Sequence, residues 1–381
     1  MPELIGALPS QMIRDMMASG YLTGAREQAL RPASLDLHIS SEVYRMRGTF
    51  LPRAGESIQD ILKNGVLYPV DIAQVPLELN GIYLIRLEES LSLPDAIYGH
   101  TNSRSTSGRI NLQTRLLVNG TAQFDSVPRG YRGPLWLEVI PKSFPIKLLP
   151  GQRLNQIRFF TGDSRLSTLE HEFIYDRYHL LFDKHGQAIP KSPFMFEGGG
   201  LTLSIDLTED IIGYTCAPST SRVLDFSAEG ALDPDEFFDP IHKPKDGQLT
   251  LRRGNFYIMH SKEYIRVPSS LAVEMVPYDP SKGEFRAHYA GFFDPGWGWG
   301  EDGTAPGAAA VLEVFTHDND FVLRDAQPIC KMVYEKLVDT PERLYGGESS
   351  QSHYHLQRGP RLSSHFRMGP PATTYVELLQ H

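Results

Sequence analysis

A short polar run at residues 104–109 concentrates groups that could do chemistry. It reads Arg-Ser-Thr-Ser-Gly-Arg, so two guanidinium groups and three hydroxyls fall within six residues. Guanidinium, hydroxyl and backbone N–H groups all donate hydrogen bonds, and arginine can donate two in parallel, which suits phosphate oxygens. A solvated turn is the competing interpretation, because runs of Ser, Gly and Arg are common in loops. The run is therefore a candidate phosphate-binding segment.

Two glutamates occupy matching positions inside apolar segments. Glu138 lies within residues 134–140 (Pro-Leu-Trp-Leu-Glu-Val-Ile), and Glu313 lies within residues 311–314 (Val-Leu-Glu-Val). A carboxyl group in an apolar pocket has a raised pKa, which lets it exchange a proton near neutral pH. A glutamate on the wet face of a half-buried strand is the alternative, and the repetition at a second place favours the pocket.

Two aspartates stand at turns before these segments. Asp125 follows Gln-Phe, and Asp294 begins the sequence Asp-Pro-Gly-Trp that ends at Trp297. An aspartate at the entrance of a hairpin can hold a sugar hydroxyl, but it is more often a turn former.

The elements that must position these residues occur twice in the chain. Three pairs of similar segments, at offsets of 174 to 175 residues, show the repeat: 83–94 and 257–268, 135–139 and 310–314, and 149–159 and 324–334. Similarity at so long a period indicates a duplicated domain rather than a solenoid. We predict a first domain at residues 1–185 and a second at residues 186–381. Residues 278–283 of the second copy, which correspond to 104–109, keep neither arginine.

Alternating apolar and polar residues predict mostly short strands. In residues 34–40 the side chains of Leu35, Leu37 and Ile39 share one face, which is typical of a half-buried strand. Residues 9–20 predict a short helix with Ser10 as N-cap, and residues 55–64 could hold another. We interpret residues 183–200 as the linker. The predicted fold is mainly β, with two barrel-like or sandwich domains and a short N-terminal helix.

Composition and charge bound the function. The 381 residues include 41% apolar and 22% charged side chains, as in soluble globular proteins, and a net charge of −9 argues against binding to nucleic acid. No apolar run approaches the ~20 residues that span a bilayer, and no signal peptide is expected. Two cysteines, Cys216 and Cys330, indicate reduced thiols in a cytoplasmic protein rather than disulfides or a multi-cysteine zinc site.

Taken in order, these segments resemble the dCTP deaminase branch of the dUTPase superfamily. The resemblance rests on residues 104–109, the Asp before a glycine-rich hairpin and the Leu-Glu strands. Residues 31–37 (Arg-Pro-Ala-Ser-Leu-Asp-Leu) and 150–154 (Pro-Gly-Gln-Arg-Leu) support it, and residues 352–360 resemble the family's C-terminal closing segment. It implies distorted β-barrels that self-associate, normally as trimers, with sites between neighbouring units. The implied reaction is the hydrolytic deamination of dCTP to dUTP and ammonia, without zinc.

The resemblance also implies a role for each matching residue. Glu138 would be the general base that activates water for attack at C4 of cytosine. Ser105 and Arg109 would position that water and stabilise the developing charge, while Arg104 and Thr106 would hold phosphates. Mg²⁺ would be carried by the triphosphate, and no protein side chain would bind a metal. The remaining implied substrate-binding residues are Asp125, Trp136, Asp294, Trp297, Tyr345, His353 and Gln357.

Two versions of the site remain open at this stage. In a composite site, the first copy supplies residues 104–109. The second copy supplies Asp294, the C-terminal tail with the closing segment 352–360, and the alternative base Glu313. In the other version, which we prefer from the sequence, the first copy supplies Glu138 and Asp125. Rival functions are a dUTPase, a bifunctional enzyme that also releases pyrophosphate, and a non-catalytic deoxynucleotide-binding protein.

Overall fold

The computed structural model describes residues 5–196, 199–277, 285–287, 291–300, 302–316, 319–346 and 357–367. Within these residues the chain is mainly β, with few helices and two barrel-like units, so the predicted fold class is confirmed. None of the helices in this part of the chain is long and apolar enough to cross a membrane.

The first unit is built on one ten-stranded sheet that curls into a nearly closed barrel. Its main path runs in the order β7-β9-β5-β3-β11-β6-β8. The unit contains β1 (Gly6–Ala7), α1 (Ser10–Ala18), β2 (Leu22–Thr23), β3 (Leu35–Met46), α2 (Ile58–Gly65), β4 (Val66–Pro69), β5 (Tyr83–Ser92), β6 (Ile97–Ser103), α3 (Ser105–Gly108), β7 (Leu112–Val118), β8 (Ser126–Val127), β9 (Arg132–Pro141), β10 (Ile146–Lys147) and β11 (Arg153–Thr161).

The second unit repeats this plan with two sheets. Their orders are β16-β14-β18-β22-β20 and β13-β24-β19-β21. The elements are α4 (Thr168–Tyr178), β12 (Leu181–Phe182), β13 (Leu201–Ser204), β14 (Ile211–Cys216), β15 (Leu224–Asp225), β16 (Asp239–His242), β17 (Gln248–Leu251), β18 (Phe256–Ile265), β19 (Leu271–Pro277), β20 (Phe285–Ala287), β21 (Phe292–Phe293), β22 (Ala308–Thr316), β23 (Phe321–Arg324) and β24 (Pro328–Lys336).

Strand register confirms the duplication at the level of single residues. Glu138 on β9 pairs with Leu84 on β5, and Glu313 on β22 pairs with Ile258 on β18. Glu138 and Glu313, and likewise Leu84 and Ile258, are separated by the offsets of 174 to 175 residues seen in the sequence. The two glutamates are therefore structural equivalents.

Asp125 helps to close the first barrel. Its side-chain Oδ1 accepts hydrogen bonds from Leu116 N at 2.8 Å, on β7, and from Thr101 Oγ1 at 2.9 Å, on β6. Its backbone joins the same two residues, because its N–H donates to Leu116 O and its carbonyl accepts from Thr101 N. Asp125 thus bridges strands near the two ends of the sheet path.

Helix α4 differs from the prediction, which placed no helix after residue 64. Only His171 and Tyr175 are buried on α4, so it has no apolar stripe that would show in the sequence. Its signal was instead the capping box, in which Ser167 and Glu170 bind each other's backbone N–H groups. Tyr175 and strand β12 pack on the second unit.

The two units share an interface built on ionic and backbone contacts. Arg158 on β11 is fully buried and donates to Glu335 Oε2 at 2.7 Å and to Asp294 Oδ1 at 3.3 Å. His100 and Glu274 also bind each other at 3.0 Å, and β10 pairs with β15 in parallel. Buried charges require such partners, so these contacts fix how the units face each other.

One face of the barrel is covered differently in the two units. In the second unit, Cys216, Ile258 and Val311 pack in a core shared with the first unit. By strand register their first-unit equivalents are Met46, Leu84 and Trp136. Those three pack instead under residues of their own unit, chiefly from the segment 47–65, with Phe50, Ile58 and Leu62. We call this segment the cap.

Candidate active site

A basic cleft opens where the two units meet. Helix α3 is a single short turn between β6 and β7, and it presents Ser105 and Thr106 to the cleft next to Arg104. The second unit contributes Asp294, Trp297 and Tyr345 to the opposite wall. The cleft has a volume of about 410 Å³. It therefore brings together six of the predicted site residues, three from each copy.

Buried polar groups in the cleft retain hydrogen-bonding capacity. The hydroxyl of Thr106 and the indole N–H of Trp297 are buried and have no hydrogen-bond partner among the described residues. Asp294 is held by Arg158 and by Ser34, whose hydroxyl donates to its Oδ2 at 3.4 Å. Burial raises the pKa of Asp294, and the charge of Arg158 opposes that rise. Since buried polar groups are normally paired, the Thr106 hydroxyl and the Trp297 indole N–H are available to a polar ligand in the cleft.

Arg109 lies at the end of α3 and reaches the second unit. Its Nη2 donates to Gln357 Oε1 at 3.2 Å, and its Nη1 donates to the carbonyl of Arg361 at 3.1 Å. Gln357 in turn donates to Ala309 O on β22 at 2.7 Å. Arg109 is thereby fixed beside the strand that carries Glu313.

Glu313 has the properties of a group that exchanges protons near neutral pH. It is 4% exposed, and burial raises its pKa to about 8, while the positive charge of Arg109 acts in the opposite direction. A carboxyl group with such a pKa is poised to act as a general base or acid. The Arg109–Glu313 arrangement exists only because the two copies pack together.

Glu138 has different neighbours. It accepts a hydrogen bond from Thr49 Oγ1 at 2.5 Å, and its other oxygen is buried with no hydrogen-bond partner among the described residues. Burial raises its pKa, and the nearest positive charges, Arg115 and Lys142, come from its own unit. Glu138, Trp136 and Asp125 do not line the cleft, and neither do Arg109, Glu313 and Gln357.

Two family models together cover nearly the whole chain. Residues 4–163 match the 2'-deoxycytidine 5'-triphosphate deaminase (DCD) N-terminal domain, and residues 167–366 match the C-terminal domain of the same enzyme. The chain belongs to the 2'-deoxycytidine 5'-triphosphate deaminase family. This confirms the family that the sequence resembles.

A solved member of this family has a similar structure. It is the crystal structure of 2'-deoxycytidine 5'-triphosphate deaminase from Agrobacterium tumefaciens, which is 36% identical in sequence. The match covers 89% of this chain and 100% of that chain, with a TM-score of 0.80. Curated protein sequences gave no significant match.

In this deaminase-family chain the described part of the tail crosses the motif at residues 104–109. Besides the contacts to Arg109, Ser363 Oγ donates to the carbonyl of Thr106 at 3.1 Å. Phe366 is buried against Phe237 and Phe238, with ring centroids 5.6 and 5.4 Å apart. We call residues 357–367 the strap. His353, a predicted binding residue, lies outside the described residues.

Three further cleft residues had no role in the sequence-based prediction. Arg31, Asp36 and Arg153 line the cleft beside Arg104. Residues 31–37 and 150–154 supported the family resemblance, but Asp36 was read as part of a strand's polar face. It is in fact 1% exposed. Three consecutive polar positions on that face, at 34, 36 and 38, are all buried, which alternation alone does not indicate.

Proposed function

We propose that this protein deaminates dCTP hydrolytically, giving dUTP and ammonia. The observation that carries the proposal is the proximity of Glu313 to Arg109, the last residue of the motif whose first three residues line the cleft. A buried arginine from the first copy lies near a buried carboxyl group from the second, whose pKa is raised to about 8. Membership of the deaminase family supports the choice of substrate.

In the proposed mechanism Glu313 moves protons in both directions. Its carboxylate takes a proton from water as the water oxygen attacks C4 of cytosine. The same proton then passes to the departing amino group, and the proton of the hydroxyl now on C4 passes to N3 of the ring, so that C4=O forms, ammonia leaves and Glu313 is ionised again. Arg109 stabilises negative charge that develops at the ring, and Ser105 positions the water.

The cleft would bind the rest of the nucleotide. Arg104 and Thr106 would donate to the phosphates, together with Arg31 and Arg153. Asp294 would accept a hydrogen bond from the 3′-hydroxyl of the deoxyribose, and Trp297 and Tyr345, whose ring centroids are 5.0 Å apart, would shape the wall.

We propose that Mg²⁺ enters as part of the substrate, bound to the triphosphate. Among the residues that the structure describes, no group of three or more His, Cys, Asp or Glu side chains could hold a metal ion. In this proposal the protein meets the ion through the phosphates.

The base in this proposal is Glu313, although the sequence alone favoured Glu138. Both carboxyl groups are buried and have raised pKa values, so burial does not distinguish them. Their neighbours distinguish the two carboxyl groups, because only Glu313 lies near Arg109. The composite site, held open from the sequence, is thus the version that we propose.

Matched substitutions test this assignment. Glu313→Gln should reduce kcat for dCTP by about a thousandfold or more, while Glu138→Gln should retain kcat within about threefold. Ammonia release would be measured with Mg²⁺ present, and nucleotides would be resolved by chromatography. An inactive Glu138→Gln beside an active Glu313→Gln would reverse the assignment. dUMP and pyrophosphate as products would identify a bifunctional enzyme.

Self-association and a cytoplasmic location stay predictions from the sequence. We propose that chains associate, because the resemblance implies barrels that self-associate; the proposed site itself lies between the two units of one chain. Light scattering after size-exclusion chromatography would measure the mass in solution, and a monomeric mass would contradict the proposal.

A further inference from the structure

Asp36 contacts three of the arginines that line the cleft, and the proposed chemistry gives it no role. We propose that Asp36 is a positioning residue, whose carboxylate holds Arg31, Arg104 and Arg153 together as one polyphosphate-binding wall. This rests on the proposed function and deepens it, because it names what assembles the phosphate-binding surface.

The geometry of these contacts is specific. Oδ2 of Asp36 accepts from Arg31 Nη2 at 2.7 Å and Nε at 3.0 Å, and from Arg153 Nη1 at 3.4 Å. Oδ1 lies 3.1 Å from Arg104 Nε. Arg104 also donates to the carbonyl of Arg153 at 3.1 Å, which joins two members of the wall directly. The two oxygens of one buried carboxylate therefore anchor three guanidinium groups that come from separate segments of the chain.

Electrostatics explain why the wall needs this anion. Three guanidinium groups packed side by side repel each other, and a carboxylate among them offsets that repulsion and fixes their planes. Burial alone would raise the pKa of Asp36, but the charges of Arg104, Arg31 and Arg153 lower it below its ordinary value. Asp36 is therefore ionised at neutral pH. Three positive charges and one negative charge leave the wall with a positive excess for a polyanion.

The second copy provides an internal comparison. Asp36 pairs with Gln156 across β3 and β11, and Thr202 pairs with Lys331 across β13 and β24, so Thr202 is the equivalent of Asp36. In the second copy the position of Arg153 is taken by Pro328, and the sequence places Tyr278 at the position of Arg104. The aspartate and these arginines are present together in one copy and absent together in the other. That pattern fits a carboxylate whose task is to hold arginines.

The test is Asp36→Asn, which removes the charge and keeps the shape of the side chain. We expect KM for dCTP to rise at least about tenfold, with kcat within about threefold, because the wall binds phosphates and not the reacting ring. Affinity for inorganic tripolyphosphate, measured by calorimetry, should fall by a similar factor. Asp320→Asn is the matched control, since Asp320 binds Arg252 at 2.8 Å outside the cleft. Unchanged KM and unchanged tripolyphosphate affinity in Asp36→Asn would overturn the proposal.

A double variant tests whether Asp36 acts through the arginines. The double variant Asp36→Asn/Arg31→Gln should lose less tripolyphosphate affinity, relative to wild type, than the product of the losses in the two single variants. If the losses of the two single variants multiply in the double variant, the proposal is overturned. If Asp36→Asn does not fold, Asp36→Glu replaces it, because it keeps the charge but displaces it by one methylene. A few-fold loss of tripolyphosphate affinity is then expected, and wild-type affinity would overturn the proposal.

Tripolyphosphate binding also separates this proposal from the proposed function. If the wild-type protein binds tripolyphosphate in an Asp36-dependent manner but releases no ammonia from dCTP, the deaminase assignment fails and the role of Asp36 stands.

Discussion

Glu138 and Glu313 show how far the neighbours of a residue decide its chemistry. They occupy equivalent positions on equivalent strands, and both are buried. Glu138 binds the hydroxyl of Thr49, whereas Glu313 lies near Arg109 of the other unit. A proton-transfer group needs substrate within reach, so we assign the chemistry to the glutamate beside the cleft motif.

The pKa of Glu313 predicts a pH profile. A base must be ionised, and with a pKa of about 8 only about a tenth of the Glu313 carboxyl groups are ionised at pH 7. We therefore expect kcat/KM for dCTP to rise about tenfold per pH unit below pH 8 and to level off above it, since this ratio reports the free enzyme. Steady-state kinetics from pH 6 to pH 9 measures it, and Glu138→Gln should show the same profile. A flat profile over this range would exclude Glu313 as the base.

Asp125 is expected to matter for stability rather than for substrate binding. Asp125→Ala removes the acceptor for Leu116 N and Thr101 Oγ1 and should cost about 2–4 kcal/mol of unfolding free energy. Asp125→Asn keeps an acceptor oxygen and suits the positive φ of 60° at this position, so its cost should be below about 1 kcal/mol. Denaturant unfolding measures both. A large rise in KM for dCTP in Asp125→Asn would return Asp125 to the binding site.

At the scale of elements, the strap ties the site to an aromatic anchor. Phe366 packs against Phe237 and Phe238, while the other end of the strap supplies the acceptors for Arg109. If the anchor is lost, Arg109 loses those acceptors and its fixed orientation. The strap should therefore couple a buried phenylalanine to catalysis without that residue touching substrate.

Phe366→Ala tests this coupling. We expect kcat/KM for dCTP to fall at least about tenfold, because an unanchored strap no longer fixes Arg109. Hydrogen exchange should show faster exchange in residues 357–367. Phe196→Ala is the control, since Phe196 is also buried but packs on Tyr175 in the core of the second unit. Equal losses of activity in the two variants would mean that the loss in Phe366→Ala comes from general destabilisation and not from the strap.

Much of the fold could be predicted from the sequence because its signals are local. The alternation in residues 34–40 and the repeated Leu-Glu strands lie within single segments, and the structure forms strands at both. The choice between Glu138 and Glu313 could not be predicted, because it depends on which distant segment covers each strand. The burial of Asp36 could not be predicted for the same reason, because segments distant in the sequence cover the strand face that alternation assigns to solvent.

At the scale of the whole molecule, the units pack head to tail. The second unit buries Cys216, Ile258 and Val311 against the first unit, whereas the first unit buries its equivalent face under its own cap. An interface of this kind joins different faces of similar units, so the equivalent face of the first unit, if uncovered, could bind another unit. The cap covers that face in place of a neighbouring unit.

The cap predicts that each chain binds one nucleotide. Thr49, within the cap, donates to Glu138, and Phe50 and Ile58 pack on the cluster around Trp136, so the position equivalent to the Glu313 site is filled by the chain itself. Calorimetric titration of the Glu313→Gln variant with dCTP and Mg²⁺ should give one equivalent per chain. Adding Glu138→Gln should leave that stoichiometry unchanged. Two equivalents, with one lost on substitution of Glu138, would mean that the cap opens and that both copies bind substrate.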